Sequence, residues 1–338
     1  MRTRMVILFQ VLLSFSVLLL LAKISLKLSD RRPVIQTERP KPARKSVTLH
    51  HKAFTYHLNI SQFQREFPHL QSYECSLLHT PHQEIGRTSP LLIMAIKSHP
   101  ASVSRRSALR TTWAKNGQVL GFRVWPLFLM AVSDDAKHME IVKMEKNEYG
   151  DIILWDFTEG HHNLSLKERC FLEWLYDNPT QVAFIFKGDD DVFVNPSSLV
   201  HFIKERASSP TTLYGALHTH SNVFRSTKYK VSESLFPYPV YPYFLSGGGF
   251  LFPGASVKLL YRASLELPVF PLDDVYFGFL SLASNLTLLH DSRFHVFGLG
   301  YNPCDYQRAF VVHGIGPDDL LKIWREVQEA QCNNPAPK

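Results

Sequence analysis

Three consecutive aspartates, Asp189, Asp190 and Asp191, follow residues 182–186, an apolar segment with the composition of a buried strand. Ligands of open α/β sheets bind beyond the carboxyl ends of strands, so these carboxylates stand where a site is expected. Side chains alternate along an extended chain, so Asp189 and Asp191 should share one side. Two carboxylates on one side suit Mn²⁺ or Mg²⁺ holding a diphosphate. The alternative is an exposed acidic loop that caps the helix beginning at Pro196.

We assign Asp191 to the metal, and Lys187, Asp189 and Asp190 to the cofactor phosphates. Three adjacent carboxylates repel one another unless a cation or solvent neutralises them, which favours a bound ion over an empty loop.

A second acidic pair, Asp273 and Asp274, begins the helical segment that follows Pro271-Leu272. Carboxylates are favoured at helix N-termini, so capping accounts for Asp273, which is also a candidate contact to the substrate. Asp274 is the candidate general base, the group that would remove a proton from an attacking hydroxyl.

Two arginines, Arg106 and Arg110, are four residues apart and share one face of a predicted helix over residues 105–113. Guanidinium groups bind phosphate through paired hydrogen bonds, so we assign both arginines to the cofactor. The alternative is structural: one arginine pairs with an internal acid while Trp113 packs in the core.

A glycine-rich block spans residues 241–250. Gly248 and Gly249 would allow close approach to a substrate, and Tyr243 could stack on the apolar face of a sugar. The alternative is a turn between strands. A phosphate-binding P-loop is excluded, because the glycines are not followed by Lys-Ser or Lys-Thr.

The elements that must position these residues alternate between apolar segments and polar helical segments. Such alternation predicts an α/β fold, a single domain with a mainly parallel central sheet flanked by helices. Pro126 should mark the start of a strand or an edge position. The predicted strands cover residues 91–97, 124–132, 151–155 and 182–186, and the predicted helices cover residues 105–113, 134–149, 164–176 and 318–329.

The N-terminus has the pattern of a membrane anchor. Residues 5–22 contain no charged side chain and are long enough to span a bilayer, and no small-residue cleavage site follows them. We therefore predict a cytoplasmic tail over 1–4, an anchor over 5–22, a flexible basic stem over 23–75 and a lumenal domain over 76–338. A lumenal position is favoured by three glycosylation sequons, at Asn59, Asn163 and Asn285. The four cysteines leave three disulfide pairings open.

The formal net charge of +7 comes from the N-terminus. Residues 1–53 hold eleven basic and two acidic side chains, whereas the remaining 285 residues hold 26 basic and 28 acidic ones. The predicted domain therefore lacks the basic surface that nucleic-acid binding requires.

Taken in order, these segments resemble the β1,3-glycosyltransferase family, which includes β1,3-N-acetylglucosaminyltransferases, β1,3-galactosyltransferases and the fringe proteins. The resemblance covers roughly residues 90–325. It is carried by the arginine-rich segment and by the blocks Glu148–Ile153, Asn163–Lys167, Asp189–Asn195, Tyr241–Phe250, Leu272–Gly278 and His313-Gly314.

The resemblance implies a GT-A fold, a UDP-sugar donor, usually Mn²⁺, and an inverting single displacement in which Asp274 deprotonates the acceptor. It implies that Asp191 chiefly holds the metal and that His313, otherwise a core or loop histidine, is a further ligand. It also implies a Golgi membrane protein of type II, either alone or as a homo- or hetero-oligomer.

The donor is predicted from Asp273-Asp274-Val275, because galactosyltransferases of the family typically have Glu-Asp-Val there. This favours UDP-GlcNAc and transfer to the 3-hydroxyl of a galactose-terminated glycan. The alternatives are a β1,3-galactosyltransferase that uses UDP-Gal, a non-catalytic Golgi protein that binds glycans or transferases, and a metal-dependent hydrolase. The presence of both Asp191 and Asp274 argues against the non-catalytic protein.

Overall fold

The computed structural model describes residues 45–81, 89–178, 182–207 and 209–332. Within these ranges, no helix combines the length and the apolar character that crossing a membrane requires. The predicted tail and anchor, residues 1–22, and the first half of the predicted stem, residues 23–44, lie outside the described residues.

Residues 45–75 are folded, which corrects the second half of the predicted stem. They form a hairpin of β1 (Ser46–His51) and β2 (Phe54–Asn59), followed by the helices α1 (Ile60–Glu66) and α2 (Pro68–Ser72). Tyr56 and Phe63 are fully buried against the rest of the domain. The basic composition of the preceding residues concealed this segment, in which only alternate or widely spaced side chains are apolar.

The central sheet has nine strands and is mixed, which corrects the prediction of a mainly parallel sheet. Its order is β12-β10-β11-β8-β4-β6-β7-β3, with β5 also paired to β6. The four strands β8, β4, β6 and β7 are parallel, whereas β11, β3 and β5 run antiparallel to their neighbours. The strands are β3 (Leu77–His79), β4 (Leu91–Lys97), β5 (Gly117–Val119), β6 (Phe122–Val132), β7 (Ile152–Thr158), β8 (Val182–Asp189), β10 (Thr212–His218), β11 (Phe244–Pro253) and β12 (Thr287–His290).

Pro126 lies inside β6 and not at its start. It falls between two pairings of β6: β5 pairs with residues 122–124, and β7 pairs from Phe128 onward. The ladder on that edge of β6 is interrupted there, so a residue without an N–H is tolerated, while the pairing with β4 continues through Pro126.

Helices cover both faces of the sheet, as the alternating pattern predicts. The first face packs against α5 (Leu164–Asp177), α7 (Val257–Glu266) and α8 (Asp273–Ala283). The second packs against α3 (Val103–Thr111), α4 (Ala136–Tyr149), α6 (Pro196–Glu205) and α10 (Pro317–Glu329). Side chains of β4 alternate between the two cores: Leu91, Ile93 and Ala95 face the first, and Leu92, Met94 and Ile96 face the second. This alternation explains why the strand is apolar throughout.

A small sheet brings the C-terminal part of the chain to the end of β8. It contains β9 (Val192–Val194), β13 (Phe294–His295) and β14 (Val311–His313), and the short helix α9 (Pro303–Arg308) precedes β14. His313 is paired with Val192, one residue beyond the aspartates. This pairing places a histidine from the end of the chain beside the acidic segment.

Two disulfides resolve the open cysteine pairing. Cys75 is bonded to Cys170, which ties the N-terminal segment to α5, and Cys304 is bonded to Cys332.

Candidate active site

The carboxyl ends of two neighbouring parallel strands form the centre of the site. Lys97 ends β4 and Asp189 ends β8, and the two residues are register partners. The chain fills one side of β4 with β6 and β7 and then crosses to the other side with β8. A crevice opens where strand order reverses in this way, and ligands of such sheets bind there.

Asp189, Asp191 and His313 form a cluster with the composition of a metal site. One ligand atom from each of the three lies within 4.8 Å of the others. Asp191 Oδ1 is buried without a hydrogen-bond partner, although His313 Nε2 is only 3.3 Å away. Burial and the charge of Asp189 raise the pKa of Asp191, against the opposing effect of His313. An orphaned carboxylate oxygen beside a second carboxylate and an imidazole fits a divalent cation.

The backbone holds this cluster in place. The Asp191 carbonyl oxygen accepts hydrogen bonds from the backbone N–H groups of Gly314 and Ile315, both at 2.9 Å. Gly314 has a φ of +84°, a conformation that a glycine adopts without strain. The turn after β14 therefore fixes His313 against the aspartates.

Asp190 points away from the cluster, as alternation along the strand end predicts. Its carboxylate accepts hydrogen bonds from Ser98 Oγ at 2.7 Å and from Arg105 Nη1 at 2.8 Å. Arg105 Nη1 also lies 3.7 Å from Asp191 Oδ2. Asp190 thus holds an arginine at the edge of the site. The helix that follows is capped by Asn195 and not by the aspartates, since Asn195 Oδ1 accepts from Ser198 N.

Lys97 connects the Asp189–Asp191–His313 cluster to α8, the helix that carries the second acidic pair. Its Nζ lies 2.9 Å from Asp189 Oδ1 and 2.6 Å from Asp273 Oδ2. Burial lowers the pKa of Lys97, but Asp189 and Asp273 outweigh it and hold that pKa well above its ordinary value. The predicted capping role of Asp273 is wrong: the N-cap residue of α8 is Leu272, without a side-chain cap, and Asp273, the first residue of the helix, accepts a hydrogen bond from Lys97 Nζ.

Asp274 is the second residue of α8 and has the electrostatics of a general base. Burial and the charge of the adjacent Asp273 raise the pKa of Asp274 to about 7. A carboxyl group with a pKa near the working pH both accepts and releases a proton readily.

Two cavities meet at this cluster. The first has a volume of about 300 Å³, lies over the end of β4 and is lined by Ser98, His99, Arg105 and Lys167. The second has a volume of about 560 Å³ and is lined by Asp274, Gly248, Tyr241 and His313. The two share five wall residues: Lys97, His161, Leu164, Asp189 and Asp191. A ligand that spans both cavities would therefore pass the Asp189–Asp191–His313 cluster.

Arg106 and Arg110 do not line either cavity, which corrects their assignment to the cofactor. Arg106 is fully buried and its guanidinium donates to Glu145 and to the carbonyl oxygens of His99 and Pro100. Arg110 is paired with Glu145 and Asp151. The structural alternative applies to both arginines.

Trp113 completes that structural role. It is buried, and its Nε1 donates to the Val192 carbonyl oxygen at 3.0 Å. The arginine-rich helix is thereby attached to the residue that follows the aspartates.

Lys187 is buried and lines neither cavity, which corrects its assignment to the cofactor phosphates. Lys187 and Glu168 form an ion pair in which each side chain is 1% exposed. Burial lowers the pKa of Lys187, while Glu168 acts in the opposite direction. The pair lies on the core side of the site, where Lys97 and Asp273 contribute to its electrostatics.

The glycine-rich block forms most of β11 and contributes unevenly to the second cavity. Gly248 lines the cavity, and a Cβ there would lie 3.1 Å from His313 Cδ2. Gly249 faces the core instead, where a Cβ would lie 3.0 Å from Val311. Tyr243 is turned away from the cavity, and its hydroxyl and ring contact Lys52 and His51 of the β1–β2 hairpin. Gly249 and Tyr243 are thus corrected as substrate contacts.

The three sequons differ in their surroundings. Asn59 and Asn285 are exposed. Asn163 is half-buried, with its Nδ2 donating to the Thr158 carbonyl oxygen and its Oδ1 3.0 Å from His69 Nε2. Asn163 therefore takes part in the fold. Asn59 also caps α1 through its Oδ1, which accepts from Gln62 N, but it is exposed, so Asn59 and Asn285 are the accessible acceptors.

Several residues that line the cavities were not predicted from the sequence. Arg105 is adjacent to Arg106, which was predicted instead, and Lys97 ends the strand next to that of Asp189. The position of Lys97 could have been predicted, because the carboxyl ends of neighbouring parallel strands meet at one edge of the sheet. Lys167 is the last residue of the Asn163–Lys167 block and His161 lies two residues before that block, and neither belongs to an evident chemical pattern.

Comparison with known proteins agrees with this geometry. A family model described as "Galactosyltransferase" matches residues 104–291, a range that includes the aspartates, the glycine-rich block and α8. A Bos taurus protein named "UDP-GlcNAc:betaGal beta-1,3-N-acetylglucosaminyltransferase 9" is 32% identical over 77% of this chain and 71% of its own length. Its Homo sapiens counterpart is 32% identical over 81% and 75%.

A Mus musculus protein named "Acetylgalactosaminyl-O-glycosyl-glycoprotein beta-1,3-N-acetylglucosaminyltransferase" is 31% identical over 80% of this chain and 71% of its own length. The chain belongs to the galactosyltransferase family.

Proposed function

We propose that this protein is an inverting β1,3-N-acetylglucosaminyltransferase that transfers GlcNAc from UDP-GlcNAc to the 3-hydroxyl of a terminal β-galactose. All three relatives are named for β1,3 transfer of N-acetylglucosamine, and two are named for UDP-GlcNAc and a β-galactose acceptor. The observation that carries the proposal is a carboxylate with a pKa raised to about 7, Asp274, in the cavity wall that also contains the Asp189–Asp191–His313 cluster.

Asp274 is the general base of the proposed reaction. The acceptor 3-hydroxyl oxygen forms a bond to C1 of GlcNAc as the bond from C1 to the diphosphate oxygen breaks. Asp274 takes the hydroxyl proton and UDP departs with the bonding electrons. A single displacement inverts the configuration at C1, so an α-linked donor yields a β1,3 product.

The residues that would hold Mn²⁺ or Mg²⁺ are Asp191, His313 and Asp189. The buried, unpartnered Asp191 Oδ1 supports this assignment, because such an oxygen is costly unless a cation or donor binds it. A bound divalent ion would neutralise negative charge on the diphosphate leaving group.

The two cavities divide the substrates. Arg105, which is partly exposed, gives the first cavity a cationic side chain suited to the nucleotide diphosphate, with Lys97 at the wall shared by both. Asp274 lines only the second, so the acceptor hydroxyl must lie there. The sugar to be transferred then lies at the shared wall, beside Asp189 and Asp191.

The wider setting is part of the same proposal. Strands β4, β6, β7 and β8 with a metal cluster at the end of β8 are consistent with a GT-A fold. Residues 5–22 would anchor the chain in the Golgi membrane as a type II protein, with the domain in the lumen. Two disulfides and two exposed sequons suit that compartment.

A donor panel tests the proposal. The purified lumenal part is incubated with UDP-GlcNAc, UDP-Gal or UDP-GalNAc and a lactosamine acceptor, with Mn²⁺ or with chelator. We expect transfer from UDP-GlcNAc only, and loss of transfer in chelator. Turnover of UDP-Gal without UDP-GlcNAc would overturn the donor assignment.

Two substitutions test the assigned residues. Asp191→Ala should abolish Mn²⁺-dependent transfer, and Asp274→Asn should abolish transfer while UDP binding is retained. Asp134→Asn is the matched control, because Asp134 is exposed and lies outside both cavities. Full activity in Asp191→Ala and Asp274→Asn would show that the site is misassigned.

A further inference from the structure

Three strongly exposed aromatic side chains line the second cavity. Phe297 is 88% exposed, Phe224 is 51% exposed and Tyr229 is 42% exposed. Such exposure leaves large apolar surfaces in water. Aromatic surface concentrated at one cavity indicates a binding role, whereas isolated apolar residues elsewhere need no such explanation.

The rings stand on two separate segments. Phe224 and Tyr229 belong to the 219–243 connection between β10 and β11, and their ring centroids are 6.3 Å apart. Phe297 belongs to the turn after β13. Asp274, His313 and the aspartates line the same cavity, so both segments border the site of the proposed reaction.

Both segments are held by hydrogen bonds to their backbone carbonyl oxygens. In the first, Val231 N donates to the Phe224 carbonyl oxygen at 2.9 Å, and Arg225 donates to the carbonyl oxygens of Val231 and Tyr238. In the second, Gly298 N donates to the His295 carbonyl oxygen, and Gly298 has a φ of +82°. The exposed rings are therefore presented on ordered turns, which lowers the entropic cost of binding.

In each of the two segments, one exposed aromatic ring is in contact with a histidine side chain. His161 contacts the ring of Tyr229 with centroids 5.3 Å apart, and His218 contacts the ring of Phe297 at 5.9 Å. His218 also stacks on Phe244 at the start of β11. These contacts connect Tyr229 and Phe297 to the cavity wall, and Phe224 joins them through its contact with Tyr229.

We propose that Phe224, Tyr229 and Phe297 form the acceptor platform, on which a neutral glycan of at least two sugars stacks. The rings line the second cavity and not the first, and the second is the cavity of the general base. Pyranose sugars present C–H faces that pack on aromatic rings, while their hydroxyls remain in water. Four carboxylates line this cavity against the two lysines Lys97 and Lys228, so an uncharged oligosaccharide fits it better than an anionic one.

The inference rests on the proposed transferase function. It adds that the sugar preceding the terminal galactose is recognised, and that recognition comes from ring faces on two separate turns that line one cavity. An acceptor limited to a single sugar would reach Asp274 but would leave the platform only partly covered.

The test compares acceptors of one and two sugars. KM and kcat are measured with UDP-GlcNAc and either methyl β-galactoside or N-acetyllactosamine, for the unmodified enzyme and for Phe297→Ala and Tyr229→Ala. An aromatic stacking contact contributes about 0.5–1.5 kcal/mol, so each substitution should raise KM for the disaccharide about twofold to twelvefold. KM for the monosaccharide should rise less, and KM for UDP-GlcNAc should not change.

Two further variants separate stacking from a structural effect. Phe297→Tyr keeps the ring and should keep the disaccharide KM, whereas Phe297→Leu keeps apolar volume and should raise it. Leu265→Ala is the control for loss of an exposed apolar side chain, since Leu265 is 58% exposed and lies outside both cavities.

The outcomes distinguish the two proposals. Absence of any UDP-GlcNAc turnover in the unmodified enzyme would overturn the proposed function. Normal turnover with an unchanged disaccharide KM in both alanine variants would overturn the acceptor platform alone. Equal losses for both acceptors, or a loss in Phe297→Tyr as large as in Phe297→Leu, would also overturn it.

Discussion

The adjacent acids Asp273 and Asp274 should respond to the same substitution with opposite changes in stability. Burial and the charge of Asp273 raise the pKa of Asp274 from 3.8 to about 7. Burial also acts to raise the pKa of Asp273, but Lys97 and Lys187 outweigh it and lower that pKa to about 2. One carboxylate is therefore destabilised in the folded protein and the other is stabilised.

The sign of the effect of Asp274 follows from proton binding. The folded protein holds this proton more tightly than the unfolded chain does, so the stabilisation is complete below about pH 4 and is lost as the pH rises to about 7. Each pH unit corresponds to about 1.36 kcal/mol, which gives an upper bound of about 4 kcal/mol. We reduce this to about 2 kcal/mol, because the side chain is partly open to the cavity and to solvent screening.

Asp274→Asn should therefore be inactive and yet about 2 kcal/mol more stable than the unmodified protein at pH 8. The gain should be smaller at pH 5, where a larger fraction of Asp274 is protonated in the folded protein. The measurement is the free energy of unfolding in urea, in the presence of chelator, at pH 5 and pH 8. Transfer activity is measured on the same preparations.

Asp273→Asn is the matched control. Its carboxylate contributes stability above about pH 4 that is lost as the pH falls towards 2, so removing it should destabilise the protein at pH 8. The expected loss is about 2 kcal/mol, below the 3–5 kcal/mol typical of a broken buried pair, because Lys97 keeps Asp189 as a partner. If Asp274→Asn is no more stable at pH 8, or if both variants shift in the same direction, the electrostatic reasoning is refuted.

Three other predictions follow from the same contacts. His313→Ala should weaken Mn²⁺ binding about tenfold or more in calorimetric titration of the protein without nucleotide, and unchanged affinity would remove His313 from the metal site. Arg106→Ala should cost about 2–4 kcal/mol in urea unfolding, because the buried carbonyl oxygens of His99 and Pro100 lose their donor and Glu145 keeps only Arg110 as a partner, while KM for UDP-GlcNAc is unchanged in the folded fraction. Cys75→Ser should cost about 4–5 kcal/mol and Cys304→Ser about 3–4 kcal/mol, because the bridges close loops of 95 and 28 residues. Thermal unfolding that ranks the two cysteine variants the other way would contradict this loop-closure argument.

The local pattern of the chain determined the parallel strands, the helices between them and the side to which each aspartate points. Residues 91–96 of β4 and 182–186 of β8 are continuously apolar because both faces of these strands are covered, and this pattern can be seen in the sequence alone. Alternation along an extended chain separates Asp190 from Asp189 and Asp191 whatever else the fold does. The order of the motifs was sufficient to indicate the family.

Only the tertiary structure decided which neighbouring residue faces the site. Arg105 and Arg106 are adjacent on one helix, and a rotation of about 100° separates a side chain at the cavity from one buried against Glu145. The sequence contains both residues but not the rotation of the helix about its axis, which is set by packing against the sheet. Lys187 was assigned wrongly to the phosphates because its partner, Glu168, comes from a separate helix. The sequence does not show that this helix packs against β8.

Contacts between distant segments were equally inaccessible. The hairpin at residues 46–59 is folded because Tyr56 packs against Phe236 and Phe279 from much later in the chain. Lys97 bridges Asp189 and Asp273, which are 92 and 176 residues away from it in the sequence. The sequence by itself determined which chemical groups are available and which strand ends carry them. The assembly of those groups into one site depends on long-range packing, which no local pattern records.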